Sequence, residues 1–558
     1  MSTVLPSSKL ERGRVIWLLE VVLAGVTHRF SSHPVDLSSD DGAVSYPGGL
    51  PDIDYRDSMS RTDASIEAQT ASMEVVFDVD LALIHRRGFP LSSATAELSM
   101  LIVQDGQPAE AYQDRHVVID GGIDNPIIGH PGQPAGWAAF TISGSAFDDR
   151  GLLLQPGQRI SGSTLLPSWS TSDEVERNIG KPYPIPIGRP GQYRQSGGVS
   201  WSIIEGVPAY VVDYDSTGIP NGADLLLWAG CHVTASHVTV IAEDVDGAVA
   251  LVPANTHDRL NQPISTIDIS GQSTEFRNAA KYWIAVGKDA VDITGGGIRN
   301  PYGSGALRGA GDVCRWALSR SSMDVDHGAW AALGSVLNGY KIDTYINDPS
   351  ASPYEWLEAA VLPILPISIR RGTRGLYPVL ADLGFAQAST LPSIVEGRDI
   401  RRLSGMAAET RSADLVSVVS VEYAPRASES NDYQRVITIG HRDPDDATSS
   451  ATTHARSAST IITGDRYTTE SLATVYDDAT AAAFARRLAR QASRIGYSIM
   501  YSGPASIGWL DVGQLVSLTD SGLSITSQVV EIIEKSWTGA EWVLILYTTH
   551  DPARDDRG

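Results

Sequence analysis

The residues with the clearest potential for chemistry lie between positions 213 and 237. In Asp213-Tyr214-Asp215-Ser216-Thr217-Gly218, closed by Asp224, oxygen donors fall at the steps of a calcium-binding loop, with glycine at the sharp turn. The flanks alternate like strands, however, and Ile219-Pro220-Asn221-Gly222 is turn chemistry, so a hairpin is the preferred reading of Asp213–Asp224 and calcium the alternative. Cys231, His232 and His237 are of the ligand types zinc takes. On a strand, Cys231 and His237 would share a face and His232 would point away, and no fourth ligand lies nearby in sequence. A packed thiol and ordinary histidines are expected. Asp324-Val325-Asp326-His327 joins carboxylates to an imidazole at the start of a helix, where acids cap the exposed N–H groups. Gly303-Ser304-Gly305-Ala306-Leu307-Arg308-Gly309 precedes a helix without dinucleotide-binding spacing; Gly309 and Gly311 suit close packing.

The usual catalytic signatures are missing. The sequence has no G-x-S-x-G elbow, no H-E-x-x-H and no Walker lysine. Acid pairs abound, but none stands out as a glycosidase pair. The expectation is a chain that is not an enzyme, with no catalytic, cofactor-binding or metal residues and no cofactor.

The elements that carry these residues are mostly strands. Met73, Val75, Phe77 and Val79 alternate with acids, and Ala96, Leu98, Met100 and Ile102 repeat the pattern. Trp137–Ile142 is a further short strand, with turns expected at Asp105-Gly106, Asp120-Gly121-Gly122 and His130-Pro131-Gly132. Lys9, Arg12 and Arg14 before the apolar run Val15–Val26 mimic a secretory signal, but Glu20 interrupts the run and no A-x-A site follows, so a first strand is expected. Leu225–Ala242 is uncharged, yet His232, Thr234, Ser236, His237 and Thr239 argue against a membrane span. Further strands are expected near Ala209–Asp213, Asp224–Trp228 and His237–Ala242.

Helical patterns cover Gly303–Ser319, Ala329–Leu337 and Pro353–Leu362, the last opened by the capping box Ser352-Pro353-Tyr354-Glu355. Short strands are expected at Ile342–Ile346 and Ile367–Arg371, with a turn at Gly372–Gly375. Near the C-terminus, Asp477–Ile495 reads as a helix capped by Asp477 or Asp478 and stopped by Gly496. Phe484, Leu488, Ala492 and Ile495, with Ala481 and Ala485, form its apolar stripe; Arg486, Arg487, Arg490 and Arg494 fall away from it. Trp509–Val516 leads into strands at Val529–Ile533 and Trp542–Tyr547, joined by a turn at Thr538-Gly539. Both faces of Trp542–Tyr547 are apolar, so it is either a core strand of its own domain or a strand with one face on a neighbouring subunit.

The chain has 558 residues, 42% of them hydrophobic, with 52 glycines and 30 prolines, a balance favouring strands and ordered turns. Its formal net charge of −23 suits it poorly for gripping phosphate backbones. Its two cysteines, Cys231 and Cys314, cannot form a disulfide framework or a four-thiolate site.

Taken in order, several segments resemble the baseplate hub or tail-tip hub proteins of tailed bacteriophages and phage-derived particles. Lys181-Pro182-Tyr183-Pro184-Ile185-Pro186-Ile187-Gly188 resembles the family's strand of the type R-P-x-P-x-x-x-G. Gly303–Leu318 into Tyr340–Ile346, followed by Ser352–Leu365 and Gly372–Tyr377, resembles its helical insert. Trp509–Val516 with the hairpin ending at Tyr547 resembles its C-terminal β module. The first 165 residues are similar in pattern only. Two cysteines do not suffice for the cysteine-bound cluster of some tail-tip hubs, no lysozyme or peptidase domain is found, and Gln514 stands where many relatives have Asp.

The resemblance implies a mainly β, multidomain fold of β-barrel or sandwich hub domains with an α+β insert. The expected division is an antiparallel β domain at 1–165, a second β domain at 166–297 entered through a proline-rich link, the α+β insert at 298–408, and a barrel-like domain with one helix at 409–558. It also implies a homotrimeric, pseudo-sixfold ring in the virion, assembled in the bacterial host cytoplasm. That ring would join the tail tube to a central spike or fibre and meet the distal tail protein and the tape-measure protein. DNA would pass through its electronegative channel, and the chain would not itself insert into a membrane. The alternatives are a distal-tail or fibre-attachment protein and a glycan-binding or glycan-hydrolysing module.

Overall fold

The computed structural model describes residues 13–40, 42–51, 53–58, 69–104, 111–144, 151–154, 158–166, 172–191, 206–214, 223–245, 248–286, 295–348, 350–372, 375–380, 388–409, 415–425, 433–439, 466–492 and 494–550. The fold is mainly β and divides into two compact units, both discontinuous in sequence. The first unit gathers Met1–Asp148, Pro366–Leu415 and Arg494–Gly558; the second gathers Asp149–Leu365 and Val416–Ser493.

A 14-stranded sheet dominates the first unit. Its main path runs Val26–Ser31, Gly13–Leu23, Thr95–Gln104, His116–Ile128, Trp137–Gly144, Thr70–Val76, Asp54–Ser58, Ile525–Trp537, Trp542–His550, Ile495–Gly503 and Arg401–Arg402. The expected alternation holds: Ala71, Met73 and Val75 are buried, as are Ala96, Leu98 and Met100. Glu20 does lie within the first strand, where it accepts hydrogen bonds from Arg29 Nε (2.8 Å), Tyr46 OH (2.8 Å) and Tyr112 OH (3.2 Å). Those donors explain how a carboxylate sits in so apolar a run.

The turn expected at Asp120-Gly121-Gly122 is not a turn. Strand His116–Ile128 continues through it, because Gly121 and Gly122 pair with Ala96 and Thr95 on one side and with Gly144 and Ser143 on the other. Asp105-Gly106 lies outside the described residues. Trp542, Leu544 and Leu546 are fully buried inside the unit, while Val543 and Ile545 are half-buried. The first of these faces is therefore core.

The four linear boundaries do not coincide with these units. Strand Asp54–Ser58 pairs with Ile525–Trp537, so the two ends of the chain share one sheet. The region 298–408 is likewise split, its last part belonging to the first unit. Local periodicity carries no information about such pairing across the whole chain.

In the second unit a seven-stranded sheet runs Ala248–Leu251, Val238–Ala242, Tyr282–Ala285, Val207–Tyr214, Ala223–Ala229, Pro263–Asp268 and Pro253–His257. The two outermost strands are consecutive in the chain, separated by Val252 alone. One bent run thus supplies both edges and curls the sheet toward closure.

The proline-spaced segment is not a polar link. Tyr183 through Gly188 are buried, and Ile185–Ile187 pairs with Thr344–Ile346. Alternate prolines keep the backbone extended, and the apolar residues between them supply core. Gly188 ends the strand at φ +64°, where an added Cβ would meet Ile342 O at 2.1 Å.

Helix formation begins only at Ala310, giving Ala310–Leu318, since the glycines before it disfavour helix. His327–Ala332, Gly334–Leu337 and Pro353–Ala360 follow, the last with its capping box formed. Helix Asp478–Ala492 packs on the three-stranded sheet Tyr433–Ile439, Val418–Pro425 and Tyr467–Leu472. Asp477 caps it by accepting from Thr480 N at 2.9 Å. Gly496 is not its stop: the helix ends at Ala492, and Gly496 lies in Ile495–Gly503, where a Cβ would meet Tyr547 OH at 2.1 Å. Nor does Arg487 face solvent. It is buried, donates to Pro363 O at 2.6 Å and lies over the Phe484 ring.

Candidate functional site

Beneath the join between Asp54–Ser58 and Ile525–Trp537 lies a constellation of buried charge. Asp57 and Lys535 are partners in the strand register, and Tyr55 is the partner of Trp537. Asp57, Arg370 and Lys535 are only 3%, 4% and 2% exposed. Arg370 comes from hairpin Ile367–Gly372/Gly375–Leu380, where Tyr377 is its cross-strand partner. Its Nη1 reaches Asp57 Oδ1 at 3.4 Å, and Gln69 Nε2 donates to Asp57 Oδ2 at 3.2 Å.

Lys535 Nζ donates to Gly508 O and lies 4.4 Å from the Trp542 ring centroid. Asp511 completes the group: Tyr377 OH donates to its Oδ2 at 3.1 Å, and His116 Nε2 lies 3.6 Å from its Oδ1. Trp17, Tyr55, Trp537 and Trp542 close one end, with ring centroids 5.0 to 6.2 Å apart.

Burial sets the protonation chemistry. It pushes the Asp57 carboxyl up, against the pull of Arg370, and pulls the Lys535 ammonium down, against Asp511 and Asp57. For Asp511 burial pushes upward, but the hydrogen bond and charge of His116, with Lys535 and Arg370, prevail and hold it well below the ordinary carboxylate range. Burial and the Asp511 charge push the Tyr377 phenol well up, so it serves as a donor. The arrangement holds charge in place; it presents no activated nucleophile beside a base.

The motifs singled out in the sequence do not converge on this cluster. Residues 215–222 of the calcium-like loop lie outside the described residues, though Val207–Tyr214 and Ala223–Ala229 on either side pair antiparallel as a hairpin would require. Cys231 and His232 lie just beyond the end of a strand rather than on one. Cys231 is buried, and His232 Nε2 lies 3.0 Å from Thr256 O. Asp326 caps helix His327–Ala332, accepting from Gly328 N at 3.0 Å and Ala329 N at 2.9 Å. Gly309 and Gly311 are close-packing sites: a Cβ would meet Asn338 Oδ1 at 2.5 Å and Leu337 Cβ at 2.9 Å. Among the described residues no group of three or more His, Cys, Asp or Glu is placed to hold a metal. Among them, too, no helix is long and apolar enough to cross a membrane.

Sequence reasoning missed the charge cluster. Asp57, Arg370 and Lys535 are single charges inside strands far apart in the chain, and Asp511 lies in the turn before Leu515–Asp520. The one available signal was Lys535 itself, an inward position on a strand whose neighbours alternate apolar.

No family model matches the chain, and no curated protein matches it. Among solved structures it is similar to the tail protein from Neisseria meningitidis MC58, at 10% identity over 96% of this chain and 96% of that one, with a TM-score of 0.36. It is similar to the prophage MuSo2 43 kDa tail protein from Shewanella oneidensis, at 9% identity over 95% and 98%, with a TM-score of 0.35. A chain of the virion of a native gene transfer agent particle is similar at 14% identity over 68% and 86%, with a TM-score of 0.37.

Proposed function

We propose that this chain is a structural component of a phage tail tip or of a phage-derived particle. In this reading it is the hub, a homotrimeric ring that joins the tail tube to a central spike or fibre. The order of the hub-like sequence segments suggests the reading. The observation that carries it is the pairing of Asp54–Ser58 with Ile525–Trp537, which sets the β modules from both ends of the chain side by side in one sheet. A subunit presenting two such modules gives a trimer six of them, enough to match a sixfold tube above and a threefold spike below.

The chain would act through shape rather than reaction. Its formal charge of −23 would keep DNA sliding rather than bound where acids line the opening. Its partners would be copies of itself, the distal tail and tape-measure proteins, and the spike or fibre. It would be assembled in the host cytoplasm and retained in the virion.

The test is the mass and shape of the purified full-length chain. Light scattering should give three copies, and electron micrographs a threefold ring with a central opening. A monomer that persists at high concentration, with no ring on any grid, overturns the reading.

A further inference from the structure

The join between the two halves of the large sheet is short. Its register pairs Ser58 with Glu534, Asp57 with Lys535, Arg56 with Ser536 and Tyr55 with Trp537. It is also the ladder that connects strands from residues 13–144 to strands from residues 494–550 on the main path of the sheet.

Alternation alone does not fix this alignment. A one-residue slip is rejected, because it would turn Lys535 and Trp537 outward. A slip by an even number of residues keeps the apolar face inward. A shift of two would set Asp57 opposite Ile533 or Trp537, both apolar, in place of Lys535. The rings of Trp17, Tyr55, Trp537 and Trp542 supply adhesion, but flat aromatic surfaces tolerate displacement.

What distinguishes one even register from another is charge. Asp57 is buried and finds Lys535 as its partner only in the observed alignment, while Arg370 reaches it from the hairpin. These groups are not arranged for maximal stability. The Arg370–Asp57 contact is long, at 3.4 Å, and Arg370 Nε and Nη2 find no acceptor among the described residues. Buried ions held this loosely are poor stabilisers, yet leaving one unpaired is expensive.

We infer that Asp57, Lys535 and Arg370 form a register key: a buried charge set that selects one alignment of the N-terminal strand with the C-terminal one and contributes little net stability. The key works because every other even register moves the buried Lys535 away from its place opposite Asp57.

The experiment compares full-length variants by thermal unfolding and by amide exchange of residues 54–58 and 534–537. Lys535→Met alone should lower the unfolding midpoint by roughly 10 °C, since it removes the buried ammonium that offsets Asp57 and Asp511. The triple change Asp57→Leu, Lys535→Met, Arg370→Met should restore the midpoint. It should also split the exchange of both strands into two populations, the sign of mixed registers. A triple variant with one exchange population matching the unsubstituted chain overturns the inference, as does one no more stable than Lys535→Met. Should the triple variant fail to fold, the same exchange measurement on Asp57→Asn with Lys535→Met decides the matter: two populations support the key, one refutes it.

Discussion

Arg308 grips Asp343 through both arms of its guanidinium, Nε to Oδ1 at 2.7 Å and Nη2 to Oδ2 at 2.8 Å. Asp343 is fully buried and also accepts from Arg189 N at 2.8 Å, so the carboxylate ties the end of the proline-rich strand to the residues before Thr344–Ile346. A fork of this kind is stronger and more directional than a point charge. Arg308→Met should lower the stability of the second unit by about 3 kcal/mol, because it strands a buried acid. Arg308→Lys should recover only part of the loss. Urea unfolding followed by tryptophan fluorescence measures both; a midpoint unmoved by Arg308→Met would show that the pair contributes nothing.

The capping box of helix Pro353–Ala360 gives a smaller, local effect. Ser352 Oγ accepts from Glu355 N at 3.2 Å, and Glu355 Oε2 accepts from Ser352 N at 3.4 Å. Ser352→Ala should cost about 1 kcal/mol, and Ser352→Asp much less, since aspartate also caps. The comparison of the two variants is the check: equal losses would mean that Ser352 acts by packing instead.

Both thiols report on the second unit. Burial pushes Cys231 up to about 12, against a small pull from Arg320, and pushes Cys314 higher still. Reactivity requires the thiolate. In the native chain at pH 8, an aromatic disulfide reagent should label neither cysteine within minutes, and in denaturant it should label both at once. Rapid labelling of Cys314 without denaturant would contradict its burial inside helix Ala310–Leu318.

Much of the local structure was legible because burial imposes a period. Met73 and Val75, Ser352 with Glu355, and the turn at Thr538-Gly539 each carry their signal within a few residues. Three kinds of feature did not. Arg487 belongs to an arginine-rich face by composition, yet Pro363 O, distant in sequence, draws it inward. Gly496 resembles a helix stop, and its true constraint is the Tyr547 ring. The pairing of Tyr55 with Trp537 has no local trace, although it decides how the ends of the chain are used. For the same reason the charge cluster at that join was invisible as a site: it exists only after the strands meet.

Acid titration should separate the two carboxylates of the cluster. Asp511 is held below its unfolded value of about 3.9, so it contributes stability that is present above that pH and is lost as the pH falls through the folded value. Asp57 has the opposite sign. Its folded value is raised, so it opposes folding while ionised, and that opposition fades as the pH falls through the folded value. Lys535, whose folded value is lowered, acts on the alkaline side and leaves the acid limb alone. Between about pH 5 and pH 3, Asp511→Asn should therefore lose stability less steeply than the unsubstituted chain, and Asp57→Asn more steeply. Asp511 keeps 32% of its side chain exposed, which softens its effect but leaves the sign intact. Urea midpoints for the three chains across that window test the assignment. Parallel acid limbs would mean that neither carboxylate changes its proton affinity on folding, and a reversed order would mean that His116 and Arg370 act on the wrong partners.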